Sequence, residues 1–253
     1  MIKNRVNLFG AKIDVVDMSQ AVDRVTSWVD DGDECRFVVT PNVDHAVLLN
    51  TNADLRAVYK DANLVLADGW PIVLAAKLLG KPLPERVAGS DLVPALFNTT
   101  KGGGRPLRAY LLGAAEGVAD RAAMKIHDRW PNVQVVGTYS PPLGFEKDDE
   151  ENQRILEKIA TAEPDIVVVG LGAPKQELWV HKHRKGIKAK AALCVGATID
   201  FIAGEKKRAP KWIQAIRCEW LYRMVSDPKR LVKRYAKDAY VFPQLFFREW
   251  ARR

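Results

Sequence analysis

The chain has 253 residues, 47% of them hydrophobic and 28% charged, the composition of an ordinary folded protein long enough to bury a sizeable core. No apolar run approaches the length of a bilayer span, and Lys3, Arg5 and Asp14 spoil any secretory leader near Met1, so a cytoplasmic location is expected. The net charge is +8, but the segment from Gly204 onward alone carries +9, with fourteen Lys or Arg against five acids, so the remainder is essentially neutral.

Taken in order, Arg5 to Val16 reads as two short strands around Gly10, a hairpin or edge pair. Ser19 then caps a helix in which Ala21, Val22, Val25 and Val29 recur at helical spacing. It ends in the acidic cluster Asp30-Asp31-Gly32-Asp33. That cluster is similar to the Asp-x-Asp signature of metal-dependent glycosyltransferases, yet it lies before a strand begins, on the side away from any ligand edge, and a solvated turn is the better reading. Phe37-Val38-Val39 is a strand, broken at Thr40-Pro41-Asn42 and followed by an amphipathic segment from Val43 to Asn50. Leu64 to Ala67 is a second apolar run ending on Asp68-Gly69, after which Pro71 opens a helical pattern from Ile72 to Leu79.

Ser90-Asp91 starts another helix, and Gly102-Gly103-Gly104 connects it to a strand over Arg108 to Leu112. Gly113-Ala-Ala-Glu-Gly117 joins that strand to a helix running through Trp130, and such a glycine turn can admit a phosphate at the helix N-terminus. It lacks the full Gly-x-Gly-x-x-Gly and the acidic residue that completes a dinucleotide fingerprint. A strand over Val133 to Thr138, a helix over Asp148 to Ala162 and an apolar strand over Asp165 to Val169 follow. The last strand of that series ends at Gly170-Leu-Gly172, with Pro174 placed for a helix start and Lys175 and Gln176 facing the ligand edge. Ala191 to Val195 is the final strand, ending at Gly196. Strands alternating with helices in this way predict an α/β, doubly wound, Rossmann-like and largely parallel sheet over residues 1–203.

Residues 204–253 change character: Trp212, Ile213, Ile216, Trp220, Leu221 and Met224 recur at helical spacing with basic residues between them. Pro228 breaks the run, Leu231 to Tyr240 resumes it, and an aromatic stretch with Phe246, Phe247 and Trp250 follows. Cationic and aromatic residues interleaved on helices suit an anionic membrane surface. The plainer alternative is that the apolar residues pack the tail against the α/β body. No nucleic-acid-binding signature accompanies the charge, so no nucleic-acid partner is expected. Cys35, Cys194 and Cys218 form no Cys-x-x-Cys pair, and His181 and His183 point to different faces of a helix, so neither a disulfide framework nor a zinc site is expected.

In an open α/β sheet ligands bind at the C-terminal strand edge, which gathers Thr40, Asn42 and Asp68 on one rim, with Arg86 close behind. Taken singly, Asn42 and Asp68 are also ordinary turn and cap residues. Together, Thr40-Pro-Asn42, Ala67-Asp68-Gly69 and Arg86-Val-Ala-Gly-Ser-Asp91 resemble successive blocks of the WecG/TagA/CpsF family of bacterial glycosyltransferases. Further blocks follow in the same order: Gly170-Leu-Gly-Ala-Pro174-Lys-Gln176-Glu177-Leu-Trp179, Gly196-Ala-Thr-Ile-Asp200-Phe201, Arg208-Ala-Pro210-Lys-Trp212, Glu219-Trp220-Leu-Tyr222-Arg223, Asp227-Pro228-Lys-Arg230 and Arg234-Tyr235.

The resemblance implies inverting transfer of a hexose (N-acetylmannosamine-like, its uronic acid, or glucose) from a UDP-sugar to a polyprenyl-diphosphate-linked saccharide, at the inner face of the plasma membrane, in cell-surface polysaccharide synthesis. It makes Asp68 the general base, with Glu177 as the alternative, and Thr40 and Asn42 positioning groups. Arg86 is matched to the substrate diphosphate and Gln176 to the sugar nucleotide. Lys175, Gly113, Gly170, Gly172, Gly196 and Asp200 line the same edge. Arg223 and Arg230 match basic residues of an appendage that closes over the site, and a third such position is Lys233 here, which keeps charge without the guanidinium fork. No metal or other cofactor is expected, the cations taking over stabilisation of the leaving UDP. The tail could be an interface in a homo-oligomer or a lid. A soluble nucleotide-sugar epimerase or dehydrogenase, with bound NAD, and a non-catalytic scaffold of a polysaccharide assembly complex are the competing classes.

Overall fold

The computed structural model describes residues 4–31, 34–99, 105–210, 212–213 and 218–252, without the side chains of Asp31 and Arg230. The Gly32-Asp33 half of the acidic cluster and the Gly102-Gly103-Gly104 connection lie outside the described residues.

The N-terminal pair is a hairpin, β1 (Arg5–Leu8) antiparallel to β2 (Ala11–Asp14). Its turn residues, Phe9 and Gly10, both have positive φ, at 51° and 85°, the conformation that matches the twist of a two-residue hairpin. Asp14 fastens the hairpin to the body. Its buried carboxylate takes Arg5 at 3.0 Å and Arg24 at 2.9 Å, and Oδ2 accepts the Val65 backbone N–H at 2.9 Å. The edge strand thereby has a partner for a donor that no neighbouring strand supplies.

Helix α1 (Met18–Asp31) is capped by Asp17, not Ser19. The Asp17 carboxylate accepts Gln20 N–H at 2.8 Å while Gln20 Oε1 accepts Asp17 N–H at 3.1 Å. This reciprocal capping box satisfies two donors where Ser19 would satisfy one.

Six parallel strands form the central sheet in the order β4-β3-β8-β7-β5-β6. They are β3 (Arg36–Val39), β4 (Leu64–Val65), β5 (Leu107–Gly113), β6 (Val133–Tyr139), β7 (Ile166–Gly170) and β8 (Ala191–Cys194). Their near-continuous apolar sequences follow from burial on both faces. Phe37, Val39, Val167 and Val169 face one packed layer, while Val38, Ile166 and Val168 face the other. Helices α2 (Val43–Thr51), α3 (Ala53–Asp61), α4 (Trp70–Leu78), α7 (Asp149–Ala162) and α8 (Lys175–His183) supply the first layer. The second comes from α1, α5 (Gly89–Thr99), α6 (Val118–Arg129) and α9 (Thr198–Ala203). This is the doubly wound α/β fold that the strand and helix spacing predicts.

Two helices end the described chain, α10 (Glu219–Ser226) and α11 (Pro228–Trp250). The expected break at Pro228 is a helix start, because proline fits the first turn, where its missing N–H costs nothing. Helix α11 then runs unbroken through Pro243. Its inner face is seated on the body: Leu231, Asp238 and Leu245 are buried, Phe242 lies 5.0 Å from Phe9, and Arg234 pairs with Asp44 of α2 at 2.7 Å. Its outer face leaves Val232, Tyr240 and Phe247 exposed. Tail packing and an apolar outer surface thus coexist. No helix among the described residues is long and apolar enough to cross a membrane.

Candidate active site

Three local arrangements carry the chain to one rim at the C-terminal ends of β3, β4 and β8. Beyond its two paired residues, β4 stays alongside β3: Leu66 N–H donates to Val39 O at 2.9 Å and Asp68 N–H to Pro41 O at 2.8 Å. Asp68 therefore lands beside Asn42, and Gly69, with φ at 126°, turns the chain into α4 where a Cβ on it would lie 3.8 Å from the Asn42 Cβ. Next, Val87 N–H donates to Ala67 O at 2.9 Å, which brings Arg86 against Asp68. Finally, a Cβ on Gly89 would lie 2.7 Å from the Val195 Cβ, so only glycine lets the start of α5 sit on the end of β8.

The resulting cluster alternates charge. Arg86 Nη1 lies 3.7 Å from Asp68 Oδ1 and 3.8 Å from Glu219 Oε2, while Nη2 donates to Asp91 Oδ2 at 2.7 Å. The other Asp91 oxygen accepts Arg208 Nη1 at 2.7 Å. Arg208 and Arg223 both lie over the Phe201 ring, with Cζ 6.0 Å and 5.8 Å from its centroid. Asp68 keeps 29% of its side chain exposed, but the protein around it removes enough water to push its carboxyl up to about 6. Arg86 and Arg223 pull it down, and Glu219 and Asp91 push it further up. A carboxyl poised there can take a proton from a hydroxyl near neutral pH. Guanidinium groups beside it suit phosphate oxygens.

A second network lies beneath. Asn42 caps α2 through the His45 N–H at 3.3 Å, and His45 Nδ1 lies 2.9 Å from Asn42 Oδ1. His45 Nε2 is 3.2 Å from Glu177 Oε1, which also accepts Gln176 Nε2 at 2.7 Å. Gln176 Oε1 in turn accepts Gly196 N–H at 3.2 Å, and Thr40 Oγ1 donates to Cys194 O at 3.1 Å. Glu177 and Gln176 are buried, so in this structure Gln176 spends its amide on holding Gly196. Glu177, the alternative base, is fully buried, and its Oε1 is held by His45 and Gln176. Gln176 is expected at the rim because Pro174 starts α8 there, and Glu177 enters only as the alternative base, but both side chains lie buried on the inward face of α8.

Other residues expected at the edge divide between its halves. Gly113, Gly170 and Gly172 mark the ends of β5 and β7, where a Cβ on Gly113 would lie 2.6 Å from the Gly170 carbonyl carbon and oxygen. Lys175 opens α8 and pairs with Glu146 at 3.1 Å. Asp200 binds Lys206 at 3.0 Å, fixing the turn that leads to Arg208. Lys233 is exposed on α11, and its neighbour Arg234 is the one that reaches the body. The Arg230 side chain lies outside the described residues.

Sequence reading did not single out Asp91, Arg208 or Glu219 as site groups. Asp91 was legible only as a cap, and Arg208 and Glu219 stood inside matched blocks among many other charges. Their joint position depends on contacts spanning 117 residues, as between Arg208 and Asp91. Among the described residues no group of three or more His, Cys, Asp or Glu is arranged to hold a metal ion.

A family model described as the glycosyl transferase WecG/TagA/CpsF family matches residues 6–253. An N-acetylglucosaminyldiphosphoundecaprenol N-acetyl-beta-D-mannosaminyltransferase of Bacillus spizizenii is 32% identical over 232 residues, covering 91% of this chain and 87% of the relative. A protein of the same description from Staphylococcus aureus is 28% identical over 228 residues, 90% of this chain and 87% of the relative. Since the family match embraces the sheet, the Asp68 rim and both C-terminal helices, the chain belongs to the WecG/TagA/CpsF family of glycosyl transferases.

Proposed function

We propose that this protein transfers an N-acetylmannosamine-like hexose, with inversion, from a UDP-sugar to a polyprenyl-diphosphate-linked N-acetylglucosamine. The relatives' names supply the sugar and the acceptor, and the observation that carries the chemistry is the Asp68 carboxyl, pushed up to about 6 beside Arg86. Asp68 takes the proton of the acceptor hydroxyl as its oxygen attacks the anomeric carbon. The bond from that carbon to the diphosphate oxygen breaks on the opposite face, and UDP departs with the electron pair. Arg86 and Arg223 counter the charge that develops on the diphosphate, a role that guanidinium groups fill without a divalent ion. Thr40 and Asn42 shape the acceptor side by holding the strand ends that present Asp68. The protein works at the inner membrane surface, where the basic helices α10 and α11 meet anionic headgroups.

UDP release is measured from a panel of UDP-sugars, with a polyprenyl-diphosphate N-acetylglucosamine acceptor in detergent, with and without EDTA. Acceptor-dependent release from one donor, unchanged by EDTA, is the expected result. Absence of release from every donor, with folding and UDP binding intact, would replace this reading with the scaffold, and loss with EDTA would remove the metal-free step.

A further inference from the structure

Arg208 has a guanidinium edge that the protein itself does not use. Its side chain keeps 29% of its surface exposed and its Nη1 donates to Asp91, whereas its Nε and Nη2 are covered and have no acceptor among the described residues. Buried donors are as a rule paired, and these two are neighbours in space. Nε–H and the adjacent Nη2–H run parallel along one side of the guanidinium, the fork that matches two oxygens of one phosphate or carboxylate.

Three contacts hold this fork at the rim. Asp91 takes Arg208 on one oxygen and Arg86 on the other, so a single carboxylate sets the separation of the two guanidinium groups. The Phe201 ring gathers Arg208 with Arg223. The Lys206–Asp200 pair at 3.0 Å anchors the turn two residues before Arg208. Arg86, by contrast, is already engaged by Asp91 and faces Asp68 and Glu219.

We infer that the Nε–Nη2 edge of Arg208 is a binding site for a substrate diphosphate, gripping two non-bridging oxygens beside Asp68. The inference deepens the transferase reading and rests on it for the ligand's source, since both proposed substrates carry a diphosphate.

The test uses the full chain with Arg208→Lys, which keeps the cation within reach of Asp91 but loses the fork, and Arg208→Gln. Calorimetry follows UDP, inorganic pyrophosphate and uridine, and steady-state kinetics follow KM for UDP-sugar and for the lipid-linked acceptor. Both variants are expected to weaken pyrophosphate binding by roughly 10- to 100-fold and to leave uridine unchanged. A raised donor KM with weaker UDP binding assigns the site to the nucleotide, and a raised acceptor KM with UDP binding intact assigns it to the lipid diphosphate. Pyrophosphate binding and both KM values within twofold of the parent overturn the proposal, as does a Lys variant that matches the parent throughout. Should the variants fail to fold, the unaltered protein serves: an arginine Nε–H resonance in its NMR spectrum is expected to shift with pyrophosphate and not with uridine, and no such shift overturns the site. A parent protein that binds pyrophosphate through Arg208 yet transfers no sugar keeps this site and removes the transferase reading.

Discussion

At the residue scale, Asp68 takes its protonation from its neighbours. Burial pushes its carboxyl up to about 6 and Arg86 is the first of the groups pulling it back. A base acts only when ionised, so kcat/KM should rise as the pH climbs through about 6 and level off above it. Arg86→Gln removes the largest downward pull and should move that limb to higher pH, besides weakening diphosphate binding; a limb that stays in place dissociates the pH profile from Asp68. Asp68→Asn should cut turnover by about 10²- to 10⁴-fold while UDP binding stays measurable by calorimetry, and near-parental turnover in that variant would eliminate it as the base. Asp68 was legible because it directly follows an apolar run, and Arg86 because it opens a matched block. Gln176 was legible as a block residue, but its orientation was not, because facing inward to Gly196 is decided by how α8 is rotated on the sheet.

At the scale of elements, the seat of α11 on α2 contains a carboxylate that the fold does not fully satisfy. Asp238 is buried with Oδ1 unpartnered. Burial, then the nearby Asp44, push it up to about 6 from 3.8, against Arg234, Lys237 and His45. A folded-state value raised in this way favours the protein at low pH, and that contribution is lost as the pH rises through about 6. Asp238→Asn should therefore stabilise the protein by about 1–2 kcal/mol at pH 7.5, with a smaller gain at pH 5, read from paired thermal unfolding curves. A gain independent of pH would place the effect elsewhere. The tight meeting of β5 and β7 is similarly specific: Gly113→Ala would set a Cβ 2.6 Å from the Gly170 carbonyl at a φ of 112°. A loss of about 2 kcal/mol is expected in chemical unfolding, and an unchanged midpoint would mean that the strand ends can part. The sequence did not reveal α3 as a separate helix, since Asn52 both ends α2 and caps α3 and leaves no glycine or proline to mark the boundary.

At the scale of the whole molecule, charge and exposed apolar surface fall together on the C-terminal segment. Trp220, Leu221, Val225, Tyr240 and Phe247 are exposed there amid a net +9. Binding to vesicles containing anionic lipid, weak with neutral lipid and reduced by salt, is expected in sedimentation assays. Trp220→Glu combined with Phe247→Glu should lower that binding at least tenfold while thermal stability holds. Binding unaffected by this pair would detach the outer face from the membrane. Deleting the segment would be a poor test, because Leu231 and Leu245 are core residues and their removal uncovers the layer beneath α11.

The alternation of apolar strands with amphipathic helices was enough, by itself, to determine the doubly wound sheet, because a strand buried on both faces and a helix buried on one leave different periodicities in the residues. It also determined which strand ends carry carboxylate and amide groups, since a turn follows its strand directly. Only the tertiary structure decided which of those groups meet. Asp91 is shared by Arg86 and Arg208, Glu219 arrives from a helix that follows the last strand, and Glu177 is withdrawn beneath the rim. Such contacts depend on helix rotation and on loop closure over more than a hundred residues, and neither leaves a local pattern in the chain.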